Sequence, residues 1–214
     1  MHKVNIYLIS PTCLIIKLAR KDMNPLNSSS DEMKVNLLAL LAQKAYRFGA
    51  FSLASGEKSS HYVNCKPVSL SGEGLLSISS LFLNEIDEND IGVAGLTLGA
   101  DPLVSGVVLL GCQAGIDLSG LIVRKEAKGH GTGAWLEGPL PPKGSVITVL
   151  EDVVTTGSSS LKAVEKLRSE GYVVNRVLAI VDREEGGENA MSKAGLTLKS
   201  LFFLKEIVER AKDL

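Results

Sequence analysis

From residue 91 onward the sequence alternates two kinds of segment, and this alternation constrains the fold more than any other feature. Short apolar runs rich in Val, Ile and Leu stand at 91–96, 118–123, 146–150, 173–181 and 196–204. Between them, 100–114 and 158–170 carry apolar residues at helical spacing, and a closing helix follows the last run. Short apolar runs fit strands buried on both faces, and the longer 3.6-period stretches fit helices. Strand and helix in turn give an α/β fold with a mostly parallel central sheet flanked by helices. A chain of 214 residues fits one such domain with a small extra subdomain.

Upstream, Val35, Leu38, Leu41, Ala42 and Ala45 predict a helix over 35–48. Residues 51–66 read as a hairpin-like region, punctuated by Ser55-Gly56 and Lys58-Ser59-Ser60, and 74–85 as an amphipathic helix. Residues 4–18 are apolar but broken by Asn5, Ser10, Pro11, Thr12 and Lys17, too short and interrupted for a membrane span. Arg20-Lys21-Asp22 fits a signal-peptide cleavage site poorly. Residues 1–30 are therefore read as an appendage or linker, with Met23 or Met33 as alternative starts, and 31–214 as the catalytic domain.

The net charge of −1 argues against a general nucleic-acid binder and leaves room for a small anionic ligand held by a few local cations. Cys13, Cys65 and Cys112 are far apart with no CxxC pair. A zinc site or redox dithiol is disfavoured, and reduced thiols in a cytoplasm are expected.

In open α/β sheets ligands gather at the carboxyl ends of the strands. Three polar, glycine-bearing segments follow strands here: 124–133, 151–160 and 182–187. The second is the most informative. Glu151 and Asp152 end an apolar strand, Val153, Val154, Thr155 and Thr156 follow, and a helix begins near Ser158. A helix start offers unpaired N–H groups and partial positive charge. Gly157 lets backbone approach closely, and Thr155, Thr156, Ser158 and Ser159 add hydroxyl donors. The arrangement suits a phosphate monoester. The two acids make sense one sugar length away, accepting ribose hydroxyls, stabilising positive charge on the ribose or orienting a Mg²⁺ ion through water. A solvated strand end and an ordinary Ser-capped helix is the bland alternative. No GxxxxGK[ST] or G-x-G-x-x-G helix start is present.

The stretch 149–159 (VLEDVVTTGSS) resembles the phosphoribosyl pyrophosphate signature of type I phosphoribosyltransferases. The resemblance implies that Glu151 and Asp152 hold the ribose hydroxyls and that the loop from Val153 to Ser159 wraps the 5-phosphate. This signature does not choose the base. Arg124-Lys125-Glu126-Ala127-Lys128-Gly129-His130-Gly131 does: this cationic, glycine-bearing flap resembles the catalytic loop of orotate phosphoribosyltransferases. By that resemblance Arg124, Lys125, Lys128 and His130 contact pyrophosphate, and the flap reaches the neighbouring subunit's site, which implies a homodimer with shared active sites. Arg183, after the fourth strand, suits the orotate anion, and the resemblance assigns it and Thr155 to orotate. Its bland alternative is an ion pair with Glu184 or Glu185. Residues 51–62 resemble the family's N-terminal hood.

There are departures. Ala54 stands where some members have a site lysine, and Leu98-Gly99-Ala100-Asp101-Pro102 replaces a lysine-bearing turn. Asp101 is expected to cap a helix begun at Pro102. His61 is expected to pack in the hood, and Trp135, the lone Trp, to anchor core or loop. The implied reaction joins orotate to phosphoribosyl pyrophosphate with Mg²⁺ and no direct protein metal ligand, using Lys125, Lys128, His130 and Asp152 as catalytic residues. The rivals are a phosphoribosyltransferase-fold enzyme for a purine or uracil, and a phosphoribosyl pyrophosphate-sensing regulator that binds RNA or DNA. The flap and the near-neutral charge count against them.

Overall fold

The computed structural model describes residues 29–52, 58–126 and 135–214. The appendage reading of residues 1–30, apart from its last two residues, and the flap positions Lys128 and His130 lie outside them, as does Ala54. Chain order is α1 (Ser30–Leu40) running into a π-helical turn (Leu41–Ala45), β1 (Tyr46–Ser52), β2 (Lys58–Val63), α2 (Lys66–Ser69) and α3 (Gly72–Leu83). Then come β3 (Asp90–Leu96), α4 (Asp101–Gln113), β4 (Ser119–Val123), β5 (Leu136–Glu137), β6 (Val146–Val154), α5 (Ser158–Ser169), β7 (Arg176–Asp182), α6 (Gly187–Lys193), β8 (Thr197–Phe203) and α7 (Leu204–Lys212).

Six strands form one sheet in the order β5-β4-β3-β6-β7-β8. Every pairing is parallel except β4 with β5. β1 and β2 form a separate antiparallel hairpin, the hood. The sheet is covered on both faces, as its apolar strands require. Leu37, Phe82, Leu103, Val107 and Ile207 from α1, α3, α4 and α7 pack with Leu150, Leu178 and Ile180 on one face. Ala163, Val164 and Leu167 of α5 and Met191 of α6 pack with Ile147, Val149 and Val177 on the other. Burying one such Leu or Ile side chain fully contributes about 1.5–3 kcal/mol.

Three expectations are corrected. The helix predicted over 35–48 starts earlier, at Ser30, with the Ser29 hydroxyl accepting the Glu32 N–H at 3.2 Å. It also ends earlier: Tyr46 and Phe48 leave the helix to pair with Val63 and His61 of β2. Tertiary pairing of aromatic residues overrides the local helical spacing. The buried face is Met33, Leu37, Leu41, Ala42 and Ala45, while Val35 is 62% exposed. The third correction concerns Asp101. It is the first residue of α4, not its cap; Ala100 holds the cap position. The Asp101 carboxylate instead accepts the Thr97 hydroxyl at 2.9 Å, because the turn at 97–100 folds Thr97 over the helix start. The short elements α2, β5 and α6 had no counterpart among the sequence expectations.

Candidate active site

The site forms where β6 gives way to α5. β6 continues past Leu150 to Val154, because Val153 and Val154 pair with Val181 and Asp182 of β7. Glu151 and Asp152 therefore lie inside a strand, and successive strand side chains point to opposite faces. Glu151 follows Val149 onto the α5 face. There its Oε2 accepts the Ser160 hydroxyl at 2.8 Å, and its Oε1 accepts the Asp152 N–H at 3.3 Å. Asp152 follows Leu150 onto the other face. Its Oδ1 accepts the Val153 N–H at 2.9 Å and its Oδ2 lies 3.4 Å from Lys66 Nζ.

The two acids differ in electrostatics as well. Glu151 is buried, and loss of water together with the neighbouring Asp152 charge pushes its carboxyl up from 4.5 to about 8, despite the Ser160 hydroxyl. Asp152 keeps a half-exposed ammonium beside it. Cys65, buried beneath, points its Sγ at the Asp152 carbonyl oxygen, 3.8 Å away. Burial foremost, then Asp152, raises its thiol well above the usual range, so it is an unreactive packing group.

Past the acids the chain makes a tight turn through Thr155 and Thr156 to Gly157, whose φ of 81° is left-handed and favours glycine. Ser158 then opens α5. Glu151, Val154 and the turn from Thr155 to Ser159 line a cavity of about 380 Å³ with Lys162 at its edge. The size and the ring of N–H and hydroxyl groups suit a sugar phosphate.

A second cavity, of about 560 Å³, is lined by Arg124, Lys125, Trp135, Ser159, Lys162 and Lys166 among others. Ser159 and Lys162 border both cavities. The base of the flap, 35 residues earlier in the chain than Ser159, thus adjoins the phosphate turn. Arg124 is held by Glu137 at 3.1 Å, and Lys125 is exposed. Trp135 pairs with the base of the flap: its carbonyl accepts the Arg124 N–H, and Lys166 lies over its ring, 3.7 Å from the centroid. It is a loop anchor.

Arg183 is buried and fully engaged. Its Nε and Nη2 reach Glu185 Oε1 at 3.0 and 2.8 Å, its Nη1 donates to the His61 carbonyl at 3.2 Å, and Nη2 also reaches Ser59 Oγ at 3.2 Å. The ion pair is with Glu185; Glu184 pairs with Lys205 instead. Arg183 fastens the hood hairpin to the carboxyl end of β7. His61 packs in the hood, its Nδ1 2.8 Å from the Tyr46 hydroxyl and its ring stacked on Tyr46.

The structure thus brings Glu151, the phosphate turn, Arg124 and Lys125 to one edge of the sheet, with Asp152 on the opposite face of β6 and Arg183 just past the end of β7. Sequence reasoning missed Ser160, Lys162, Lys66 and Gly99. Ser160 and Lys162 fall within the first turn after the motif, one and three residues past Ser159, where i, i+3 spacing was the available signal. Lys66 and Gly99 carry no local signal.

No protein-family model matches the chain. The orotate phosphoribosyltransferase of Thermosynechococcus vestitus is 53% identical over 182 residues, covering 85% of this chain and 96% of that protein. The chain belongs to the orotate phosphoribosyltransferase family. The fold agrees. The crystal structure of the Mycobacterium tuberculosis orotate phosphoribosyltransferase superposes with a TM-score of 0.70 at 30% identity, covering 82% of this chain and 98% of that one. The same enzyme in complex with 5-phospho-α-D-ribosyl 1-diphosphate gives a TM-score of 0.67 at 27% identity, covering 82% and 99%. The type I phosphoribosyltransferase fold inferred from the sequence is the fold observed, with the hairpin β1–β2 as its small N-terminal hood.

Proposed function

We propose that the chain transfers ribose 5-phosphate from phosphoribosyl pyrophosphate to orotate, giving orotidine 5′-monophosphate and pyrophosphate in pyrimidine synthesis. Family membership supports the reaction; the adjacency of the phosphate turn and the flap base across Ser159 and Lys162 carries it to this chain's residues.

The N–H groups and hydroxyls from Thr155 to Ser159 hold the 5-phosphate at the start of α5. Asp152 favours cationic character at C1 as its bond to pyrophosphate breaks, and Glu151 meets the ribose oxygens. With its carboxyl pushed up to about 8 by burial, Glu151 can donate to one ribose oxygen as well as accept from a hydroxyl. Arg124, Lys125, Lys128 and His130 draw off the pyrophosphate charge. Orotate N1 attacks C1 while Thr155 and Arg183 face the base.

Among the described residues no group of three or more His, Cys, Asp or Glu side chains is placed to hold a metal ion. Mg²⁺ commonly binds substrate phosphates and keeps several waters, and Asp152 and Glu151 beside the cradle would orient it through such waters. When bound, Mg²⁺ supplies charge neutralisation on pyrophosphate and ribose oxygens. The resemblance supports a homodimer in which each flap serves the neighbouring site, and the free thiols of Cys65 and Cys112 support a cytoplasmic setting.

The test is loss of orotate absorbance with purified protein, with and without phosphoribosyl pyrophosphate and Mg²⁺. Turnover only when both are added is expected. Turnover of uracil or a purine in preference to orotate would reverse the base assignment. Lys128→Ala should lower kcat by about 10²–10³-fold if it acts like other charge-stabilising donors.

A further inference from the structure

Asp152 is confined from three sides, and two of the confining groups, Gly99 and Lys66, lie outside the signature motif. Its Oδ1 accepts the Val153 N–H at 2.9 Å. A Cβ on Gly99 would stand 2.7 Å from its carboxylate, so the turn at 97–100 leaves room for the acid only because residue 99 is glycine. Its Oδ2 meets Lys66 Nζ at 3.4 Å. Among the described residues Lys66 is the one cation paired with either acid of the site. It is set by its own surroundings too: α2 begins at Lys66, whose N–H is held by Asn64 Oδ1 at 3.2 Å, and the preceding residue is the buried Cys65 that touches the Asp152 backbone.

We propose that Lys66 is a positioning residue for the transfer reaction: it fixes the Asp152 carboxylate in the rotamer that receives a ribose hydroxyl of the donor. This deepens the reading above and rests on its choice of phosphoribosyl pyrophosphate as donor. The geometry explains why the role needs a cation. Asp152 points from β6 to the face opposite Glu151, and an ammonium 3.4 Å from its Oδ2 gives the carboxylate a charge-assisted partner on that side. A side chain that is only packed would leave the rotamer free to turn toward the Lys66 space. The ammonium is also only half-buried, so the pair can adjust when a ribose hydroxyl arrives.

The experiment is a double-mutant cycle on phosphoribosyl pyrophosphate binding, measured by calorimetry with Mg²⁺ and without orotate. The proteins are wild type, Lys66→Met, Asp152→Asn and the double variant, with Lys66→Arg as the conservative control. Lys66→Met should weaken donor binding by about 10- to 100-fold, the scale of a misplaced binding group. In the Asp152→Asn background the same change should cost less than about threefold, because coupled neighbours are not additive. Lys66→Arg should recover most of the affinity. In steady state the KM for the donor should rise while the KM for orotate stays within about twofold, and the Tm of Lys66→Met should stay within about 4 °C of wild type, since a half-exposed pair adds little stability. Gly99→Ala, which displaces the same carboxylate by crowding, should give the same donor-specific loss.

Near-wild-type donor binding in Lys66→Met would overturn the proposal. So would an equal loss in the Asp152→Asn background, which would mean a lysine acting on the substrate directly, or a loss that Lys66→Arg does not relieve. Wild-type protein that binds the donor but does not consume orotate would remove the base assignment and leave the role of Lys66 standing. Wild-type protein that does not bind the donor would remove both.

Discussion

The Ser160 hydroxyl donates a 2.8 Å hydrogen bond to Glu151 Oε2, joining the first turn of α5 to the strand that precedes it. Both side chains are buried. The contact holds the phosphate turn closed from below, since every residue of that turn lies between the two partners.

This pair sets a pH dependence. The Glu151 carboxyl rises from 4.5 to about 8 in the folded protein, chiefly through burial. The folded state therefore binds this proton more tightly than the unfolded state does. The stability from this group is fully present below the unfolded value near pH 4.5 and drains away as pH rises to about 8. The slope approaches about 1.4 kcal/mol per pH unit within that window. Glu151→Gln should flatten it, and Ser160→Ala, which removes a contact favouring the ionised form, should extend its upper end. Urea denaturation at intervals from pH 5 to 8.5 measures both; identical slopes in wild type and Glu151→Gln would refute the assignment.

Gly157 sits in the left-handed region at the mouth of the cradle. An added Cβ would come within 3.0 Å of Met191 Cε, the mobile end of a side chain, so backbone strain rather than collision should dominate. Gly157→Ala should cost about 1–2 kcal/mol of stability and raise the KM for the donor. Unchanged urea stability would show that the turn readily adopts another conformation.

Arg183 and Glu185 form an ion pair in which the arginine side chain is only 3% exposed, and it holds the hood through His61 and Ser59. Arg183→Gln should destabilise the protein by about 3 kcal/mol, because it leaves Glu185 without its partner. Amides of β2 should exchange faster with solvent. Arg183→Gln combined with Glu185→Gln should recover part of the stability while leaving orotate binding impaired. If the single variant loses orotate binding with no change in stability or exchange, the hood-fastening role is wrong.

The lone Trp reports on the flap. Trp135 carries Lys166 over its ring and accepts the Arg124 N–H beside a cavity that Lys125 also lines. Pyrophosphate binding should change Trp135 emission, and Lys125→Ala should weaken that response. Lys166→Ala should shift the emission of the free protein and cost about 0.5–1 kcal/mol, the size of an exposed cation–π contact. Emission insensitive to saturating pyrophosphate would place the anion elsewhere.

The sequence determined the α/β class, the parallel core of the sheet and the phosphate turn, because each rests on local pattern. Runs of Val, Ile and Leu must be buried on both faces, and Thr155-Thr156-Gly157-Ser158 can make a tight turn into a helix wherever it stands. It also put the base of the flap, Arg124 and Lys125, directly after β4. Tertiary structure decided what those patterns meet. It drew β6 on to Val154 by pairing with β7, which set Glu151 and Asp152 on opposite faces of one strand and gave them unequal surroundings. It turned Tyr46 and Phe48 out of a helix and into the hood, and it brought Lys66 and Gly99 to Asp152 from segments 86 and 53 residues away in sequence. Local spacing encodes which face a residue takes; which partner waits on that face is fixed only when distant strands pack side by side.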